Sequence, residues 1–157
     1  MEIACREIGM IHARPDPTVE LKAEYAKGLA GLEGFSHIVV VWYANQLPEW
    51  NSEYLVIDKP YRLAPPKLGI FATRSPYRPN GICVSVAAVS GIDLARGTIS
   101  LHWIDAEDGT PVLDIKPYYH CTEYVAKPAY PHWCAHWPSS FEESASFDWE
   151  SEFLFPH

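Results

Sequence analysis

The stretch FATRSPYRPNGICVSV, residues 71–86, sets Arg74 and Arg78 four positions apart, with Pro76, Pro79 and the pair Asn80-Gly81 around them. Proline fixes its own φ and pushes the residue before it toward extended backbone, so both guanidinium groups sit in a stiff loop. Arginine offers a planar fork of donors that matches a carboxylate or a phosphate. Asn-Gly supplies the positive φ of a sharp turn into the next strand. Two readings stand side by side: a loop built to hold an anion, and a hairpin whose arginines pair with acids of the same chain.

A second group lies in DAEDGTPVLDIKPYYH, residues 105–120. Asp108-Gly109 signals a turn. Strict alternation after it puts Val112, Asp114 and Lys116 on one strand face, and Leu113, Ile115 and Pro117 on the other. An acid and an amine on one face, followed by Tyr118, suit proton transfer or the orientation of a substrate; they equally suit an ion pair on a solvated sheet. A third group is HWCAHW, where His132, Cys134 and His136 would share one face of an extended segment, with His120 and Cys121 upstream. Imidazole and thiolate are zinc ligands, but closed structural sites use other spacings. Packing within an aromatic tail accounts for these residues as well, and no metal is assigned to them. The chain has no G-x-G-x-x-G, no G-x-x-x-x-G-K-[ST], no H-E-x-x-H and no G-x-S-x-G, so a dinucleotide fold, a phosphate-loop enzyme, a zinc protease and a serine hydrolase have no support.

The elements that must position these groups are short. Residues 6–13 alternate and read as a strand. Residues 18–32 carry Val19, Tyr25, Leu29 and Leu32 near helical spacing behind Thr18, a suitable N-cap, and predict a helix. Strands are expected over 35–44, 67–73, 82–92, 97–104 and 111–118, each bounded by Gly, Pro or Asp. Six strands and one helix lack the alternation of a doubly wound sheet, so a small antiparallel or mixed barrel is the economical arrangement. The strand rhythm fails near Pro117. The expectation is therefore a mainly β fold: a single-sheeted small β-barrel over 1–118 with one short helix, followed by an extended, aromatic and acidic C-terminal tail over 119–157. That tail holds three of the six tryptophans and is expected to lay them on the body or on a second subunit.

The chain has 157 residues, enough for one domain with a real core, and 48% of them are apolar. No apolar run reaches the roughly 20 residues of a membrane helix. The N-terminus lacks the order of a signal peptide, so the protein is expected in the cytoplasm. Cys5, Cys83, Cys121 and Cys134 show no paired spacing and are expected as reduced thiols, several of them buried. The net charge of −8 is uneven: residues 1–118 hold 11 basic and 14 acidic side chains, residues 119–157 one basic and six acidic. That balance argues against a large nucleic-acid footprint, because phosphate neutralisation supplies most of such affinity.

GLAGLEGFSH (28–37), GIFATRSPYRPNGICVSV (69–86) and DGTPVLDIKPY (108–118), in that order, closely resemble the TsaA-like (TrmO-type) family over roughly residues 6–118. The resemblance implies a small β-barrel, a homodimer, and S-adenosyl-L-methionine-dependent methyl transfer to N6 of threonylcarbamoyl-adenosine beside a tRNA anticodon. It puts the arginine loop at the cofactor and substrate pocket. Carried over position by position, it gives cofactor contacts at Asn45, Gln46, Arg74 and Val84 and along His102, Trp103, Ile104 and Asp105. It makes Arg78 and Asn80 substrate-facing. Lys116 and Tyr118, with Asp114, are the groups expected to orient the methyl acceptor. The chain departs from the family where a Pro-Arg-Gln-like segment is usual after the first strand, where Asn45-Gln46 replaces a His-Gln pair, and where Gly81 and Cys83 stand at the usual Pro and Gly. Two other functions remain open on the sequence: methyl transfer to a small molecule, and ligand binding without turnover.

Overall fold

Six segments of alternating character pair into one sheet: β1 (Gly9–His12), β2 (Thr18–Leu21), β3 (His37–Tyr43), β6 (Ile82–Asp93), β7 (Thr98–Leu101) and β8 (Thr110–Pro117). Every pairing is antiparallel. The order is β1-β2-β7-β6-β3-β8, with β8 hydrogen-bonded back to β1, so this sheet closes on itself. Ile11, Val19, Ile38, Val40, Ile99 and Val112 are fully buried inside it. The structure is a computed structural model that describes residues 3–154. These residues form two compact units. One takes the chain up to Glu49 and again Asn80–Tyr124; the other takes Trp50–Pro79 and the chain from Val125 onward.

The expectation of a single-sheeted barrel with one short helix and an extended tail is corrected, because the chain as a whole is not one closed barrel. The predicted helix over 18–32 does not form. Thr18-Val19-Glu20-Leu21 is strand β2, with Val19 and Leu21 buried and pairing to β1 on one side and β7 on the other. Its period of two outweighs the helical spacing, which already fails across the six residues from Val19 to Tyr25. Only a single 3-10 turn, Ala26–Leu29, follows.

The segment 67–73 also leaves the sheet to which it was assigned. Its first part, β5 (Lys67–Gly69), pairs with β4 (Val56–Asp58) as a separate two-stranded sheet in the second unit. The residues after it turn through a 3-10 segment, Ile70–Ala72. Strand β2 takes the sixth place in the closed sheet.

The C-terminal segment is folded, not extended. Helix α1 (His120–Glu123) belongs to the first unit. The second unit contains a 3-10 turn, His132–Cys134, then α2 (Phe141–Ser144) and α3 (Trp149–Glu152). Ser140 and Asp148 cap the last two helices through their side-chain oxygens. Tyr61 and Phe153 form a β-bridge, the Arg62 N–H donates to the Glu152 carbonyl at 2.9 Å, and the Leu154 N–H donates to Pro60. Aromatic rings need apolar cover, and they find it here on Tyr61, Ala64 and Leu68, which make a second buried cluster with Trp133 and Trp137. The cysteines are free as expected, but none is buried: Cys5 and Cys121 are exposed, Cys83 and Cys134 half-buried. No helix among the described residues is long and apolar enough to cross a membrane.

Candidate functional site

The arginine loop lies in the second unit, and its two arginines are used differently. Thr73 and Ser75 are buried while Arg74 between them is exposed. The Thr73 hydroxyl donates to the Ile70 carbonyl at 2.9 Å and accepts from the Ser75 N–H. The Ser75 hydroxyl accepts in turn from the Tyr77 N–H. Arg78 folds back into this turn. Its Nη1 donates to Thr73 O at 2.8 Å and to Ile70 O and Ser75 O at 3.3 and 3.5 Å, and its guanidinium carbon sits 5.7 Å from the centre of the Phe71 ring. The two arginines are not equivalent. Arg78 staples the loop through carbonyls, and the staple presents Arg74 outward.

Asn80 and Gly81 open the first unit's second segment. Gly81 has φ +57, and a Cβ there would lie 3.1 Å from Tyr43 Cε2, so the turn into β6 needs glycine. The Ala44 N–H donates to the Gly81 carbonyl at 2.9 Å, which ties this turn to the end of β3. Just beyond, Asn45 Nδ2 donates to Gly109 O at 3.4 Å and Gln46 Nε2 to Asp108 O at 2.7 Å. The Asp108-Gly109 turn is further held by the Ala13 N–H on Asp108 Oδ1 and by the Gly109 N–H on Ile11 O. Asn45 and Gln46 are therefore brought together on one turn. An N–H of each amide is committed to that turn.

Residues 102–105 follow β7. Ile104 is buried and anchors the segment; His102 and Asp105 are exposed, and the Trp103 indole is 60% exposed. An indole that open on an otherwise anchored segment has a face for a flat or cationic ligand. Val84 lies on the outer face of β6, opposite Val41 of β3.

The face expected on β8 is corrected by a bulge. Val41 pairs with Asp114 but Trp42 pairs with Val112, so Leu113 is an extra residue. A one-residue insertion swaps the faces on either side of it. Val112 is buried in the core with Ile115 packed against the same cluster, whereas Asp114 and Lys116 pair with Val41 and Val39 on the other face. Lys116 Nζ makes a close hydrogen-bonded ion pair with Asp114 Oδ2, and the Ile115 N–H donates to Asp114 Oδ1. The hydrogen bond that Lys116 donates to Asp114, then the charge of Asp114, push the Lys116 ammonium pKa up. Lys116 is therefore a cation and not a base at neutral pH. Tyr118 is half-buried, with its N–H on His37 O and its ring edge-on to His37.

The tail histidines and cysteine do not converge. Cys134 Sγ donates to Pro131 O, while His136 Nε2 lies 2.9 Å from Glu152 Oε2. His120 stacks on Tyr124 in the other unit. Among the described residues no group of three or more His, Cys, Asp or Glu side chains is placed to hold a metal ion. Two residues that sequence reasoning missed are Glu152 and Tyr61. Glu152 is 1% exposed and faces His136 and, at 3.4 Å, Arg62 Nε. Burial opposes its charge, but His136, the Trp137 indole and Arg62 together hold its carboxyl below the usual range. The Trp137 contact lacks good hydrogen-bond geometry, since Trp137 Nε1 and Glu152 Oε1 are otherwise unpartnered. The signal in the sequence was an acid set among aromatics, in DWESEF, within a tail read as aromatic and acidic but not as folded.

The chain matches the family model described as the tRNA-methyltransferase O N-terminal domain over residues 9–123. It is 35% identical over 99 residues to a probable S-adenosyl-L-methionine-binding protein of Halobacterium salinarum, covering 63% of this chain and 73% of that one. It is 42% identical over 90 residues to the tRNA (adenine(37)-N6)-methyltransferase of Mus musculus, covering 57% of this chain but only 20% of that enzyme. Among solved structures it is similar to TrmO from Pseudomonas aeruginosa, with a TM-score of 0.64 and 31% identity over 82% of this chain and 62% of that one.

Proposed function

Because the chain belongs to the family of the tRNA-methyltransferase O N-terminal domain, we propose that it is an S-adenosyl-L-methionine-dependent methyltransferase that modifies N6 of threonylcarbamoyl-adenosine in the anticodon loop of tRNA. The observation that carries this reading is the family match, since residues 9–123 include every residue given a role below.

The residues present suit the cofactor. In the second unit, exposed Arg74 offers a guanidinium to the methionine carboxylate. In the first unit, Asn45 and Gln46 on the Asp108-Gly109 turn offer amide groups to an adenine edge, and the open Trp103 indole offers a ring face. Val84, His102, Ile104 and Asp105 complete that set. When bound, the cofactor supplies an electrophilic methyl group on a sulfonium. The chain's own task is then to position the acceptor nitrogen in line with it and to hold charge nearby. Lys116, kept protonated by Asp114, is read as a fixed positive charge that orients an anionic acceptor such as a threonyl carboxylate. Tyr118 lies two residues on; Arg78 offers its guanidinium to a phosphate, and Asn80 follows it by two positions in the chain. A cytoplasmic homodimer is part of the same reading, and light scattering on the purified chain checks the dimer.

Methyl transfer to a small molecule is favoured by the net charge of −8 and by the lack of a Pro-Arg-Gln-like segment after the first strand. If tRNA is the substrate, few local cations carry its affinity, and the slope of log K against log salt is shallow, about −0.7 per single-strand phosphate neutralised. The deciding experiment incubates the protein with methyl-labelled cofactor and tRNA that carries or lacks the threonylcarbamoyl group, beside a small-molecule extract. Label in the modified tRNA alone supports the proposal. Label only in the extract supports the second reading.

A further inference from the structure

The family model ends at residue 123, yet the second unit draws half of its substance from the chain beyond Val125. What that segment touches is specific. Trp133 stacks flat on Tyr61, with ring centroids 5.3 Å apart and 8° between planes; Trp137 meets the same ring edge-on at 5.0 Å, and Phe153 lies 5.8 Å away. Tyr61 is thereby enclosed on several sides and is 5% exposed. Its hydroxyl lies beside the backbone of Arg74 and the side chain of Thr73, whose polar groups work against the burial that raises its pKa. Thr73 is the residue whose hydroxyl and carbonyl organise the arginine loop, through Ile70, Ser75 and Arg78.

The far end of the segment is locked as well. Glu152 is buried against His136 and Arg62, next to Tyr61 in sequence, and the Tyr61–Phe153 bridge continues that attachment. One ring therefore has the C-terminal aromatics on its faces and the backbone of Arg74 at its tip.

We propose that the segment 125–154 is a brace for the arginine loop, acting through Tyr61 as a positioning residue that fixes the backbone of Arg74. Tyr61 is buried, so its role is to position the loop and not to meet a ligand. Its ring is clamped by Trp133, Trp137 and Phe153, and its hydroxyl fixes the peptide from which the Arg74 side chain projects. Without the brace, the loop keeps its Arg78 staple but loses its outer support, and Arg74 spends less time in one place. Cofactor affinity then falls by the fraction of time the loop is out of position. This consequence for affinity rests on the assignment of Arg74 to the cofactor; the effect on the loop does not.

The test uses the full chain. Tyr61→Phe removes the hydroxyl and keeps the ring, and Trp133→Leu removes the stacked partner and keeps the hydroxyl. Hydrogen exchange is followed over residues 70–79, cofactor affinity is measured by calorimetry, and melting temperature is recorded; Arg74→Ala is measured in parallel. The brace predicts exchange of residues 73–77 at least several-fold faster in Tyr61→Phe, with exchange in β3, β6 and β8 unchanged. It predicts cofactor affinity three- to tenfold weaker in Tyr61→Phe and no further loss when Tyr61→Phe is added to Arg74→Ala. Unchanged exchange over 73–77 in both Tyr61→Phe and Trp133→Leu overturns the brace. Faster exchange with undiminished affinity, while Arg74→Ala does weaken binding, also overturns it as a positioning device. Faster exchange with undiminished affinity in all variants, Arg74→Ala included, instead overturns the assignment of Arg74 and leaves the mechanical coupling standing.

Discussion

Arg78 Nη1 lies 2.8 Å from the Thr73 carbonyl oxygen, so the second arginine of the loop closes the turn that displays the first. Hydrogen bonds to a charged group contribute about 1.5–3 kcal/mol each when well formed, and the two longer contacts add less. Arg78→Ala is therefore expected to destabilise the loop by about 2 kcal/mol and to weaken cofactor binding indirectly. Arg78→Lys, with a point charge in place of a fork, recovers part of both. Exchange over residues 70–79 and calorimetry with the cofactor check this; an Arg78→Ala variant whose loop exchanges as slowly as wild type contradicts the staple.

Gly81→Ala places a side chain at φ +57 and 3.1 Å from the Tyr43 ring. Backbone strain of that kind costs about 1–3 kcal/mol. A urea titration is expected to show a lower midpoint at unchanged slope. No shift in the midpoint would mean that the turn relaxes freely.

Lys116 is held protonated by Asp114, whose hydrogen bond and charge raise its pKa. Methyl transfer is accordingly expected to show no gain in rate from deprotonation of Lys116 as pH rises through the ordinary lysine range. Lys116→Arg should keep most of the rate. Lys116→Met should lose up to about a hundredfold, on the scale of a misplaced substrate. A rate that climbs with pH in wild type and not in Lys116→Met would make Lys116 a base after all.

Glu152 has a folded pKa below its unfolded value, because His136, the Trp137 indole and Arg62 outweigh the burial that opposes its charge. A depressed carboxyl contributes stability that is complete above the unfolded value, about 4.3, and is lost as pH falls through the folded one. Wild type is thus expected to lose stability between about pH 5 and 3 more steeply than Glu152→Gln, and to be the more stable of the two at pH 7. Equal slopes in urea titrations across that range would contradict the assignment.

What the sequence made legible follows from local chemistry. The Asn80-Gly81 turn, the Asp108-Gly109 turn and strands β3 and β6 could be read because glycine at positive φ and runs of β-branched residues leave a local mark. The faces of β8 could not, since a bulge at Leu113 depends on how Trp42 and Val41 pair across the sheet. Strand β2 was hidden because four residues of alternation competed with a longer, looser helical pattern, and only its two neighbours decided the matter. The division of labour between Arg74 and Arg78 was invisible for the same reason: the acceptors for Arg78 are backbone carbonyls, which every residue carries. Tyr61 reads in sequence as one aromatic among many, and its place depends on rings some seventy or more residues away.

The most direct test of the account is nucleoside mass spectrometry on tRNA bearing threonylcarbamoyl-adenosine, digested after incubation with the protein and S-adenosyl-L-methionine. The account predicts that this nucleoside is replaced by a species heavier by one CH2 with the methyl on N6, and that Arg74→Ala slows the replacement at least tenfold. An unmodified nucleoside, recovered from a reaction in which the protein binds the cofactor normally, would contradict it.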